Sequence, residues 1–158
     1  MRLVLGMPWY TGPDDHTFPL YFDQMMYFGA LRERSMWVDA MPFQDAEDML
    51  RKLPSLDESG YDKVLADPTM EEWEKIGKLE IYLVNYSRTS LVGLARENIV
   101  DAAVNIDADY LFWWDDDMRF EKDAFLRLWR RQKPVTSALA FTSRHPIFPV
   151  MFRLTERW

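Results

Sequence analysis

The stretch DYLFWWDDD, residues 109–117, decides the fold class. Its five consecutive apolar residues, 110–114, are typical of a strand that is buried on both faces. The strand runs into three carboxylates, and alternation places Asp115 and Asp117 on one side and Asp116 on the other. Two carboxylates on one side repel each other unless a cation or a partner group neutralises them. Because open α/β sheets bind ligands at the carboxyl ends of their strands, the stretch predicts a divalent-metal site for a phosphate-bearing ligand; a solvated acidic turn is the alternative.

Strand and helix patterns alternate around this stretch. Strands are predicted over 3–7, 79–86, 110–114 and 135–141, with a weaker one over 36–41, and helices over 17–34, 91–105 and 121–132. This order predicts an α/β fold, a mostly parallel sheet covered by helices, in a single domain over residues 1–158.

Helical spacing also predicts which side chains the first two long helices bury. The inner face of the first is expected to carry Phe18, Phe22, Met25, Met26 and Gly29. That of the second is expected to carry Leu91, Leu94, Ala95, Ile99, Ala102 and Ile106.

Residues 42–78 differ from the rest of the chain, because they are rich in prolines and acidic side chains. We interpret them as a surface insertion or lid, because the segment is too short and too polar to form a hydrophobic core by itself. Near their end, Thr69 and Glu72 match a capping box, which predicts a helix beginning there.

Composition narrows the class of protein. The formal net charge of −7 argues against a nucleic-acid surface, where a basic patch is expected. The absence of cysteine excludes disulfides and thiolate metal sites and fits a reducing compartment. No stretch approaches the roughly 18 apolar residues of a membrane span, and the opening apolar run is too short for a signal peptide. The expectation is a soluble, cytoplasmic protein.

Three motifs follow one another along the chain. A Pro-aromatic loop follows the first strand, a helix carries Ala95-Arg96-Glu97-Asn98, and an apolar strand then ends in Asp-Asp-Asp. This set resembles the GT-A nucleotide-sugar glycosyltransferases, especially compact bacterial and phage members related to family 2. The resemblance covers 79–144 well and 1–34 loosely, and it implies that these two segments form a donor-binding core. Many members have Arg followed directly by Asn, whereas Glu97 intervenes here.

The resemblance implies a hexosyltransferase that binds a UDP- or GDP-sugar through Mn²⁺ or Mg²⁺ held by an Asp-x-Asp motif. Asp117 is then the expected metal ligand and Asp115 its partner, and Asp116 hydrogen-bonds the ribose or caps backbone. Arg96 is expected to act as the counter-charge either of the acidic cluster or of the diphosphate, because a guanidinium suits both tasks. A solvated surface arginine is the alternative.

The same resemblance places a base-binding loop after the first strand, at Pro8, Trp9 and Tyr10. An aromatic ring there either stacks on a nucleobase or simply covers the sheet edge. Arg144, after the last predicted strand, is expected to face the sugar or the acceptor.

The chain ends at Trp158, whereas GT-A enzymes continue with a part that contacts the acceptor and, in inverting enzymes, supplies the base. The donor half is therefore expected to be complete and the acceptor half absent or minimal, as in a C-terminally truncated domain. No base is assigned, and the acceptor is unknown. Two alternatives stay open: a non-catalytic nucleotide- or carbohydrate-binding module of this fold, and a metal-dependent nucleotidyltransferase.

Overall fold

The computed structural model describes residues 1–9, 18–42, 44–45, 47–48, 67–86, 91–115, 118 and 120–139. The chain divides into two compact units, Met1–Ala124 and Phe125–Trp158. The helices and strands, in chain order, are β1 (Arg2–Met7), α1 (Phe18–Ala40), α2 (Met70–Ile76), β2 (Glu80–Asn85), α3 (Val92–Asn105), β3 (Tyr110–Trp113) and α4 (Ala124–Trp129).

The first unit is built on a three-stranded parallel sheet in the order β2-β1-β3. The register pairs Arg2 with Glu80 and Leu3 with Tyr110, so that β1 is the central strand. Residues 3–5 and Met7 of β1 are fully buried, as expected of a strand flanked on both edges and covered on both faces. The predicted α/β class with a parallel sheet is confirmed at this level. The prediction that the strand over 110–114 is buried on both faces was wrong: β3 lies at one end of the strand order, and its Tyr110 and Trp113 are 38% and 37% exposed.

One face of the sheet packs against α3. Val4 of β1 forms a buried cluster with Ile99 and Ala103 of α3. Ala95 is also buried, whereas Leu91 and Leu94 are exposed and Ala102 is only partly buried, so the predicted inner face of this helix is only partly right. The buried stripe of this helix is narrow and consists of Ala95, Ile99 and Ala103, which recur every four residues along one helix face.

The opposite face of the sheet carries an aromatic cluster. Met7, Trp9 and Trp114 form its buried centre, and Tyr21, Met25 and Phe120 pack against it. Since Tyr21 and Met25 belong to α1, this helix covers the face opposite to α3.

The prediction for the end of α1 was wrong. The helix does not end at Arg34, as predicted, but continues to Ala40. Residues 36–40 are therefore helical and do not form the predicted strand. Each residue that extends an existing helix adds one backbone hydrogen bond within that helix, whereas a new strand needs a neighbouring strand to bond to. The helix ends just before the Met41-Pro42 pair, because a residue that precedes proline disfavours the α conformation.

The predicted inner face of α1 was also wrong for three residues, because Phe22, Met26 and Gly29 are exposed, whereas Met25 is half-buried. Phe22 and Met26 are 56% and 61% exposed. The buried stripe instead consists of Gln24, Tyr27, Phe28, Leu31 and Ser35. The helix is apolar on several sides, so apolar periodicity alone could not fix its rotation.

Two polar residues explain the observed rotation of α1. The side-chain amide of Gln24 donates to the backbone carbonyl of Phe120 at 3.2 Å. The hydroxyl of Ser35 donates to the carbonyl of Arg32 at 2.7 Å and accepts from the backbone N–H of Leu79 at 2.9 Å. Buried polar groups are tolerated where they find such partners.

The capping box predicted at the start of α2 is confirmed. The backbone N–H of Glu72 donates to the Thr69 hydroxyl oxygen, and the N–H of Thr69 donates to the Glu72 carboxylate at 2.8 Å. Trp73 and Ile76 are buried, which anchors this helix through one face.

The helix predicted over 121–132 is shorter at both ends, because α4 spans only Ala124–Trp129. Gln132 follows with a positive φ of 47° and closes the helix end, donating from its backbone N–H to the Trp129 carbonyl at 3.0 Å. Residues 135–139 form no strand, so the described part of the predicted strand 135–141 is wrong. No helix in the described part of the chain combines the length and apolar composition needed to cross a membrane.

Candidate functional site at the carboxyl ends of β1 and β3

The topology of the sheet singles out the carboxyl ends of β1 and β3. From β1 the chain goes to β2 on one side, and α3 then carries it back past β1 to β3 on the other side. The strand order therefore reverses between β1 and β3, and α1 and α3 lie on opposite faces. In open α/β sheets, ligands bind in the crevice at such a switch point. Asp115, the first residue of the acidic triplet, lies at this edge, just after β3.

Arg96 and Asp115 form an ion pair at this edge. One guanidinium nitrogen, Nη2 of Arg96, donates to both carboxylate oxygens of Asp115, at 3.1 Å and 3.0 Å. The two side chains are 49% and 36% exposed, so a solute can reach both. The structure thus brings together two residues that the sequence nominated, and it gives Arg96 the contact expected of a counter-charge for the acidic cluster.

Trp113 completes this group. The Cζ atom of Arg96 lies 5.7 Å from the centroid of the Trp113 ring, within the range of a cation–π contact. Because side chains alternate along a strand, Trp113 and Asp115 both project toward α3, on which Arg96 lies. Trp113 is 37% exposed, so part of the ring remains open to solvent.

Gly6 makes room for Trp113. A Cβ at Gly6 would lie 3.2 Å from Cε3 of Trp113, 3.1 Å from Cδ1 of Leu111 and 2.7 Å from Cγ2 of Ile99. A side chain at this position would force the Ile99 side chain of α3 to shift and would crowd Leu111 and Trp113. Neither Gly6 nor Trp113 was nominated from the sequence, although the two-residue spacing from Trp113 to Asp115 was a usable signal.

Of the predicted base-binding loop, Trp9 belongs to the core. Its ring is 5% exposed and lies edge-on to Tyr21 and Trp114, with centroid distances of 5.0 Å and 6.3 Å. This is the alternative in which the ring covers the sheet edge. Pro8 follows β1 directly and is half-buried. Tyr10 lies outside the described residues, and the base-binding role of the loop stays a prediction.

The other nominated residues lie outside the described part of the chain or have local roles. Asp116, Asp117 and Arg144 are outside it. The side-chain amide of Asn98 donates to the carbonyl of Leu94 at 2.9 Å, one turn earlier in α3. The Asn98 side chain therefore bonds to the backbone of its own helix.

One donor at this edge, the Asp115 carboxylate, is of the type that a hard divalent cation takes. Mg²⁺ and Mn²⁺ take carboxylate oxygens and are held by one or two carboxylates together with substrate phosphates and water. Asp115 presents one such carboxylate, accessible to solvent. Among the residues that the structure describes, no group of three or more His, Cys, Asp or Glu side chains is arranged to hold a metal ion.

Comparison of the chain with protein-family models, with curated proteins and with solved structures found no match.

Proposed function

We propose that this chain is a metal-dependent glycosyltransferase of the GT-A type, which binds a nucleoside-diphosphate sugar at the carboxyl ends of β1 and β3. The observation that carries the proposal is the Arg96–Asp115 pair at the switch point of a parallel sheet. In this pair, the Asp115 carboxylate is an anionic group suited to a divalent cation, and the Arg96 guanidinium is a cationic group suited to a diphosphate. A nucleoside-diphosphate sugar that is bound through a metal needs both.

The chemistry of glycosyl transfer explains why these groups are useful. Negative charge builds on the diphosphate as the sugar leaves, and a divalent cation stabilises that charge as a Lewis acid. Asp115, with Asp117 as the ligand predicted from the sequence, would hold the cation. Arg96 would donate charge-assisted hydrogen bonds to a phosphate, because its guanidinium presents donors in a planar fork. The acceptor and the catalytic base are not assigned.

The test is calorimetric titration of UDP, GDP and their sugars into the folded protein, first with Mn²⁺ and then with EDTA. We expect one nucleotide to bind only with the metal. In the variant Asp115→Asn the affinity should fall at least about tenfold, since a charged ligand is lost. Asp101→Asn is the matched control, because Asp101 is an exposed aspartate on α3 and its substitution should leave the affinity unchanged. Absence of binding to every nucleotide would overturn the proposal.

A further inference from the structure

Arg96 is held from two sides in the protein without ligand. Its Nη2 contacts both oxygens of Asp115, and its guanidinium lies 5.7 Å from the Trp113 ring centroid. The ring also lies against Gly6, where a Cβ would come within 3.2 Å of its Cε3 atom. The guanidinium thus has two partners, the Asp115 carboxylate and the face of a ring that β3 carries.

This position creates a conflict for any cation at Asp115. Both carboxylate oxygens already accept from one guanidinium nitrogen, and the positive charge of Arg96 repels a metal ion within a few ångströms. The ion pair is partly exposed, and such pairs contribute little to stability because solvent screens the two charges. Little free energy is therefore lost when Arg96 leaves Asp115 to pair with a more highly charged anion.

Resting on the proposed function, we infer that Arg96 is an exchangeable counter-ion. In the free protein it neutralises Asp115. When a divalent cation and a nucleoside diphosphate bind, Arg96 leaves the carboxylate and pairs with the diphosphate, while Asp115 becomes available as a metal ligand. The exchange keeps the charge of Asp115 neutralised in the free state and makes metal binding favourable chiefly when the diphosphate is present.

The inference predicts opposite effects of removing Arg96 on two affinities. In Arg96→Gln, Mn²⁺ alone should bind roughly 1.5-fold to fivefold more tightly, because its competitor for Asp115 is gone. A nucleoside diphosphate in saturating Mn²⁺ should bind at least about tenfold more weakly, because a charge-assisted hydrogen bond is lost. A residue that only supported the fold would weaken both.

The experiment is a Mn²⁺ titration followed by electron paramagnetic resonance of the free ion, and then a calorimetric titration of UDP and GDP. Arg32→Gln, which alters an exposed arginine of α1, is the matched control and should change neither affinity. Trp113→Leu is a second variant; it removes the ring that holds the guanidinium, and should tighten Mn²⁺ binding about twofold or more. Far-UV circular dichroism verifies that each variant is folded.

Three results would overturn the inference, and they separate it from the proposed function. If the wild type binds Mn²⁺ and nucleotide but Arg96→Gln weakens both or leaves Mn²⁺ unchanged, the exchange is wrong and the proposed function stands. If neither the wild type nor Arg96→Gln binds Mn²⁺ or any nucleotide, both are wrong. If Mn²⁺ binding tightens in Arg96→Gln while nucleotide affinity stays unchanged, Arg96 does not transfer to the diphosphate.

Discussion

The indole Nε1 of Trp9 donates a buried hydrogen bond of 3.0 Å to the backbone carbonyl of Trp114. This bond joins the carboxyl ends of β1 and β3, which are neighbours in the sheet but far apart in the chain. Trp114 precedes Asp115, so the bond fixes the backbone from which the candidate ligand projects. Trp9 thus supports the edge of the sheet and does not itself project from it.

The variant Trp9→Phe should lower the free energy of unfolding by about 1–3 kcal/mol, since the carbonyl of Trp114 is left buried without its donor. Urea denaturation followed by circular dichroism measures this. Trp37→Phe is the control, because Trp37 is only half-buried, and it should cost less than about 1 kcal/mol. Equal losses in the two variants would contradict the role given to the Trp9 hydrogen bond.

The variant Gly6→Ala should destabilise the first unit by about 1–3 kcal/mol, because the added methyl group overpacks the contact between β1 and α3. The tightest distance, 2.7 Å, is to Cγ2 of Ile99. Chemical denaturation again gives the free energy of unfolding.

A double-mutant cycle identifies the cause of this loss. In the background Ile99→Ala, the substitution at Gly6 should cost clearly less than in the wild type, since the atom that it meets is gone. Additive losses would show that the contact with Ile99 is not the cause.

The variant Ser35→Ala should cost about 1–3 kcal/mol, because it leaves the backbone N–H of Leu79 buried and unpaired. Ser137→Ala removes the same hydroxyl from an exposed position and should change stability by less than about 0.5 kcal/mol. If the two variants unfold at the same urea concentration as the wild type, Ser35 does not set the rotation of α1.

Loss of the capping box should loosen α2. Thr69→Ala should reduce the protection of the α2 amides by about 1 kcal/mol, and Thr69→Ser should retain most of it. Amide hydrogen exchange at Ile76 and Gly77 is the measurement, since the N–H of Gly77 donates to the carbonyl of Trp73 at 2.9 Å. Unchanged exchange in Thr69→Ala would show that burial of Trp73 alone stabilises the helix.

Strong local signals in the sequence predicted the parts of the fold that depend on local chemistry. The apolar runs of β1 and β3 and the capping box at Thr69 appear where they were predicted. The sequence also nominated Arg96 and Asp115, which meet in the structure. Each of these features depends on a few residues that are close together in the sequence or on the alternation of side chains between the two faces of a strand.

The errors arose where tertiary partners decide the outcome. The rotation of α1 depends on Gln24 and Ser35, whose hydrogen-bond partners lie far away in the chain. Their burial cannot be read from apolar spacing, because both are polar. Trp113 was overlooked for a related reason. Its two-residue spacing from Asp115 indicated that both side chains share one face, but only the structure shows that Gly6 and Arg96 lie against it.

The central claim is that a metal-bound nucleotide sits at the carboxyl ends of β1 and β3, and paramagnetic broadening by Mn²⁺ in ¹⁵N-resolved NMR spectra tests it most directly. A six-residue strand is about 20 Å long, and the broadening falls steeply with distance. With nucleotide and trace Mn²⁺, the amide signals of Arg96, Trp113 and Asp115 should disappear first, while those of Arg2 and Asp109 persist. Broadening centred elsewhere, such as at Glu71 and Glu74 of α2, or none at all, would contradict the claim.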